Sequence, residues 1–324
     1  MAPAHPSAAN RFDFIRLVLA MAVFAYHAIV LSELAPMSGL ERIWGQFAEL
    51  AIQGFFIVSG ALVAGSLARS QSLADYAGKR VRRLYPAYAT VILVPALISL
   101  LMGGQGRGVA EYVTANLVFL NFLSPDLPGL FEGNRFTEVN GALWTLKIEV
   151  MFYLCLPVIG WALRMAGRAR WALLLGLYAA GEAWRFGLPV LLDHPLAPML
   201  ARQLPGQMAF FASGIALWQV WNLARSRPLL FGAGGLLLAG LSFVHPWLEP
   251  LRAAGLAGLT ACIAFLPGPA LNAARWGDIS YGVYITHFPI LVIAASFALW
   301  HLVERPALRP SSHYRKVADK TEQD

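Results

Sequence analysis

Long uninterrupted apolar blocks constrain this chain more than any other feature. Segments such as Ile15–Leu34, Val91–Leu101 and Leu229–Phe243 approach, with their flanks, the roughly 20 residues a bilayer demands of a helix. Inside lipid every backbone N–H and C=O must be satisfied within its own segment, which selects helices. With 58% apolar and only 13% charged residues, the chain has too little charge to coat a soluble domain of this length. A large soluble helical bundle does not suit such blocks. The expected fold class is all-α: a polytopic integral membrane helical bundle. Spans are expected near 14–34, 46–67, 86–102, 142–162, 170–186, 203–221, 228–244, 249–266 and 279–302. They form one transmembrane domain over 1–310, followed by a polar tail over 311–324.

The sequence around Asn10–Arg16 has no convincing cleavage site, so the first span is expected to stay in the mature protein. Orientation follows from Lys and Arg, which mark cytoplasmic loops. Arg11 and Arg16 place the N-terminus in the cytoplasm, and Lys79, Arg80, Arg82 and Arg83 follow on the same side. Arg164, Arg168, Arg170, Arg225, Arg227 and Arg275 fit the same frame if 103–141 stays outside. Within that excursion Tyr112–Leu123 is too short to cross and reads as re-entrant or interfacial. The basic tail after Leu302 conflicts with the frame, as if a span were missing before it. The net charge of +7 belongs to this topology and gives no reason to expect nucleic acid. Cys155 and Cys262 lie in apolar blocks and read as packed thiols.

Ionisable residues inside spans are costly and mark functional candidates. His27 follows Arg16 by eleven residues on one helix, about 16 Å along the axis, which sets it near mid-membrane. It reads equally as a general base or as a histidine hydrogen-bonded for helix packing. Glu149, between Ile148 and Val150, either orients an imidazole, serves as acid or base, or forms a structural pair. The run Lys79–Arg83 suits phosphate recognition, although topogenic charge alone accounts for it. His287, two residues before Pro289, either lines a cavity or packs. Gly54–Gly65 carries small residues at close spacing and reads as a helix-packing stripe. Asp13 reads as a partner of Arg16 or a cap with Asn10. No metal-binding set, P-loop or dinucleotide fingerprint is present, and Gly104–Gly108 reads as a plain loop.

Seven short motifs follow one another along the chain. They are Arg16 with His27; Phe55, Phe56, Ser59 and Gly60; Arg80, Arg83, Tyr85 and Pro86; Leu143 to Leu146 with Glu149, Phe152 and Tyr153; Phe211 and Gly214; Ile279 to His287; and Glu304-Arg305-Pro306. Together they resemble the acyltransferase-three family, the polytopic membrane O-acyltransferases of bacterial envelopes and antibiotic pathways. Three positions depart from the family pattern. Thr145 stands where serine is usual, Val150 where a second acid is usual, and a span is lacking between His287 and Glu304.

The resemblance implies nine to ten transmembrane helices in the bacterial inner membrane. It implies a donor, acyl-coenzyme A and foremost acetyl-coenzyme A, bound as substrate with no resident cofactor or metal. Its phosphates would meet Arg80 and Arg83 with Arg16, and its thioester would reach His27, the essential base or acyl carrier, supported by Glu149. The acceptor would be a hydroxyl of an envelope glycan or a lipid-linked sugar. His287, Arg202 and Trp144, with the stretch 124–141, are the expected acceptor contacts. Two other readings stand beside this one: an inactive or deletion-variant homologue acting as a partner protein, and a transporter. Inverted repeats would mark the transporter, and none is visible.

Overall fold

A computed structural model describes residues 11–31, 38–134, 136–269, 271 and 279–299. The Glu304-Arg305-Pro306 close, the basic tail, Asn10 and Arg275 lie outside the described residues. The regular structure within them is helical: α1 Phe12–Leu31, α2 Ser38–Ala68, α3 Leu73–Leu101, α4 Gly106–Leu117, α5 Trp144–Met165, α6 Arg170–Leu191, α7 Ala197–Ala201, α8 Leu204–Gln219, α9 Trp221–Ser226, α10 Pro228–Leu241, α11 Arg252–Phe265 and α12 Ile279–Leu299. Each expected span coincides with a helix. Among the described residues five segments are long and apolar enough to cross a membrane: Phe12–Leu31, Gly39–Ala68, Leu73–Leu101, Gly141–Met165 and Pro246–Phe265. Two shorter apolar stretches, Pro228–Leu241 and Ile279–Ala294, add to them.

Helix α2 is the hub, packing on α1, α5, α8 and α11. Its closest approach is to α8, at glycines from two of the motifs. A β-carbon on Gly60 would lie 2.5 Å from the Phe211 carbonyl oxygen, and one on Gly214 would lie 2.9 Å from Gly60 Cα. Beside this crossing Phe152 stacks on Phe211 at 3.8 Å, and Phe56 lies 4.8 Å from the same ring. The small-residue stripe therefore sets helix spacing, as its composition suggests. Gly214→Ala is expected to cost about 1–3 kcal/mol by overpacking this crossing. Thermal unfolding in detergent measures it, and an unchanged midpoint would show that the crossing yields without strain.

Large apolar side chains cover much of the outer surface. Leu154, Val158, Trp161 and Met165 run down one exposed face of α5 at helical spacing. Its opposite face buries Ile148, Phe152 and Leu156. A helix greasy on both faces needs an apolar solvent outside, as a bilayer provides.

The structure corrects two expectations. The Lys79–Arg83 cluster, expected in a loop, lies within the first turns of α3. Ser72 caps that helix by accepting from the Asp75 N–H at 3.1 Å, and Asp75 pairs with Lys79 at 2.6 Å. Gly104–Gly108 is not a plain loop, since Gly106 opens α4. Gly104 packs so tightly that a β-carbon would sit 3.0 Å from the Pro128 carbonyl oxygen.

Helix α4 has only 12 residues and packs against α3. Asn116 and Asn121 fasten the following segment. Tyr88 Oη donates to the Asn116 carbonyl at 2.8 Å, and Asn121 Nδ2 donates to Tyr88 Oη at 3.0 Å and to Asn116 Oδ1 at 2.8 Å. Both cysteines are free thiols.

Candidate active site

Two cavities lie end to end in the bundle. The first is a narrow cleft of about 40 Å³, lined among others by Arg16, Phe55, Ser59, Glu149 and Tyr281. The second is far roomier, about 410 Å³, and His27 lines it with Trp144, Arg202, Glu49, Gln53 and Gln207. Ile52 and Tyr284 line both and form the partition between them. Tyr284 is pinned there by a 2.6 Å hydrogen bond between its hydroxyl and Thr145 Oγ1, and by Phe55 packed edge-on at 5.3 Å. Thr145 also donates to the Ala142 carbonyl at 3.0 Å. The hydroxyl is what this position uses, so threonine serves where serine is usual.

Glu149 is the polar centre of the narrow cleft. It accepts from Ser59 Oγ at 2.8 Å and from Tyr153 Oη, one α5 turn away. The Phe-Phe-x-x-Ser-Gly motif thus has two jobs: its glycine sets the α2–α8 spacing and its serine satisfies the carboxylate. Arg80 lies over the Tyr153 ring at 5.8 Å and donates to Ser66 Oγ at 3.0 Å, while its Nε is buried without a partner among the described residues. Tyr153 is thereby the link between the basic turns of α3 and Glu149. Arg16 reaches the cleft from α1, with Asp13 at 4.0 Å.

In the large cavity, polar groups converge from separate helices. Arg42 and Glu49 come from the N-terminal half of α2, Trp144 from the start of α5, and Gln207 from the start of α8. Gln53 donates to Glu49 Oε1 at 3.1 Å and Gln207 to the Arg202 carbonyl at 3.3 Å. Those partners only accept, which fixes both amides; their oxygens are left unpartnered among the described residues. An unsatisfied buried acceptor is costly.

A second histidine stands behind His27. His287 Nε2 lies 2.9 Å from His27 Nδ1, joining residues 260 positions apart. His287 itself is 2% exposed. Helices α1 and α12 bring the pair together by packing on one another, and Phe288 closes over His27 edge-on at 5.2 Å.

The structure thus gathers His27, Trp144 and Arg202 around one cavity and Arg16 with Glu149 around the other. Arg80 reaches the second group through Tyr153, and His287 contacts His27. The sequence alone does not single out Arg42, Glu49, Gln53 or Gln207. These are isolated polar residues in apolar helices, with no motif spacing to mark them as one site.

Comparison with known proteins identifies the lineage. A family model described as an acyltransferase domain, that of the acyltransferase-three family, matches residues 10–303. The chain is 28% identical to "Nodulation protein 10" of Rhizobium leguminosarum bv. viciae, covering 93% of each chain. It is 26% identical to an "O-acetyl transferase" of Shigella phage Sf6, covering 94% of this chain and 97% of that one. It is also 26% identical to "Peptidoglycan O-acetyltransferase OatA" of Listeria monocytogenes, covering 87% of this chain but only 49% of that longer protein. No solved structure matches. With the family model spanning nearly its whole length, this chain belongs to the acyltransferase-three family and is an acyltransferase.

Proposed function

We propose that this chain is a multi-pass inner-membrane O-acyltransferase with nine to ten spans and a cytoplasmic N-terminus. It moves an acyl group, foremost acetyl, from cytoplasmic acyl-coenzyme A to a hydroxyl of an envelope glycan or lipid-linked sugar. The observation that carries this reading is the pair of cavities meeting at Ile52 and Tyr284. One has Arg16 at the end that the positive-inside rule assigns to the cytoplasm; the other holds His27 and is built from helix ends on the opposite side. Relatives named as O-acetyltransferases supply the reaction type.

The donor's phosphates meet Arg80, Arg83 and Arg16, whose guanidinium forks suit them. Its pantetheine arm enters the cleft beside Glu149, and Ile52 and Tyr284 give way to admit the thioester to the cavity of His27. The acceptor enters the larger cavity, where Arg42, Glu49, Gln53, Arg202 and Gln207 offer hydrogen bonds to sugar hydroxyls and Trp144 an apolar face. His27 takes the hydroxyl proton as the new C–O bond forms at the thioester carbonyl. The C–S bond then breaks, and the departing thiolate receives that proton from His27. Alternatively His27 carries the acyl group between two such steps. In either route Glu149 holds the cleft's polar wall.

The test is release of free thiol from acetyl-coenzyme A by the purified protein in lipid, with envelope glycan extract as acceptor and the acylated product identified by mass. Thiol release without acylated product, or none with several extracts, would overturn the proposal. Replacing Arg80 and Arg83 together by alanine is expected to raise the KM for acetyl-coenzyme A about tenfold or more, with kcat little changed, because two charge-assisted contacts are lost. Unchanged donor affinity would leave the cluster a purely topogenic role.

A further inference from the structure

We propose that His287 is a positioning residue that holds His27 in the tautomer protonated on Nδ1, leaving Nε2 as the nitrogen that reacts. The inference rests on the acyl-transfer reading above, but its structural half stands separately. It also differs from the acceptor contact that the sequence suggests for His287.

The tautomer follows from the donors and acceptors around each ring. His287 Nδ1 lies 2.7 Å from the Tyr284 carbonyl and 3.2 Å from the Val283 carbonyl. Carbonyl oxygens only accept, so this nitrogen carries a hydrogen. In a neutral ring the lone pair is then on Nε2, which faces His27 Nδ1 at 2.9 Å. His27 Nδ1 also lies 3.1 Å from the Val23 carbonyl. Faced by two acceptors, it too must carry its hydrogen, and the only lone pair left on His27 is at Nε2. A doubly protonated His287 would reverse the central bond, but would set the bare His27 Nδ1 lone pair against the Val23 oxygen. It would also bury a cation among Phe24, Tyr284 and His27. No carboxylate is hydrogen-bonded to either ring among the described residues.

The support continues outward. Asn140 Nδ2 donates to the Ile285 carbonyl at 2.8 Å and Thr145 holds Tyr284, so the α12 turn leading into His287 is fastened at two adjacent residues. In the reaction the arrangement has a clear use. When Nε2 accepts a proton or an acyl group the ring becomes cationic, and its Nδ1–H already meets a neutral acceptor that shares the charge. This is the work a carboxylate performs behind many catalytic histidines.

Histidine-selective ¹⁵N NMR of the intact protein in lipid nanodiscs tests the assignment directly. His27, identified by its absence from the His27→Gln spectrum, is expected to show a protonated Nδ1 and a bare Nε2. The reverse tautomer in the wild-type protein would overturn the proposal, whatever the variants do. His287→Leu removes the acceptor and is expected to lower kcat roughly a hundredfold, with both KM values within about twofold and the His27 tautomers mixed. His287→Gln offers an amide oxygen in place of Nε2 and is expected to recover about tenfold of that loss by restoring one hydrogen bond. Folded His287→Leu protein with unaltered kcat and tautomer would sink the idea. If no acyl transfer is found for the wild type, the functional reading fails while the NMR result still decides the tautomer.

Discussion

His27→Ala protein is expected to insert and fold as the wild type does, yet to release coenzyme A thiol at least about a hundredfold more slowly, the range a general base supplies. The structural cost is about 1–3 kcal/mol, because the side chain lines an existing cavity but its loss leaves the buried His287 Nε2 without a donor. His27→Gln is the sharper control. An amide N–H can still donate to His287 Nε2, so a helix-packing role would survive, whereas an amide has no basic lone pair for proton transfer. Both variants folded yet inactive would establish the base. Near-normal turnover by the His27→Gln variant would return His27 to the packing role that its spacing from Arg16 leaves equally open.

How far the sequence discloses this site depends on how far apart its parts lie in the chain. Arg16 and His27 share one helix, so a rise of about 1.5 Å per residue is enough to place them along the membrane normal. In the fold they line different cavities. Apolar block length likewise predicts the helices, since the lipid constraint acts on each segment separately. The His27–His287 contact spans 260 positions, and nothing in either helix's own pattern points to the other. The large cavity's Arg42, Glu49, Gln53 and Gln207 are equally scattered and reveal themselves only when helix ends converge. For Lys79–Arg83 the sequence holds two conflicting signals. Ser72 and Asp75 have the spacing of a helix cap, which places the cluster inside a helix, whereas Pro86 suggests a helix start beyond it. The cap prevails: Pro86 lies inside α3, and Thr90 Oγ1 returns a 2.9 Å hydrogen bond to its carbonyl.

The largest expected effect on stability lies away from the reaction, at Arg185. Glu182, Arg185, Glu249 and Arg252 alternate in sign along one seam between α6 and the turn Pro246–Leu251 that leads into α11. Arg185 Nη2 meets Glu182 Oε2 at 2.8 Å and its Nη1 meets Glu249 Oε1 at 3.3 Å, while Arg252 Nη1 meets the same Glu249 oxygen at 3.0 Å. The Arg185 and Glu182 side chains are only 11% and 7% exposed. The sequence carries the signal, a Glu-x-x-Arg spacing in each of two apolar segments, but not the fact that the segments meet. Four charges of zero net sum, one buried and three partly buried, are tolerable together and costly singly. Arg185→Leu would leave Glu182 without its cation, and is expected to cost about 3–5 kcal/mol. Arg185 also lies over the Phe186 ring at 4.5 Å and the Phe210 ring at 5.3 Å, contacts that leucine replaces only in part. The double variant Glu182→Leu, Arg185→Leu removes the stranded carboxylate, and Glu249 keeps Arg252. It is therefore expected to be more stable than Arg185→Leu alone. Unfolding in detergent micelles measures both variants against the wild type. A double variant no better than the single one would show that the seam is held by ring packing and not by charge pairing, since only the charge account makes the second substitution a repair.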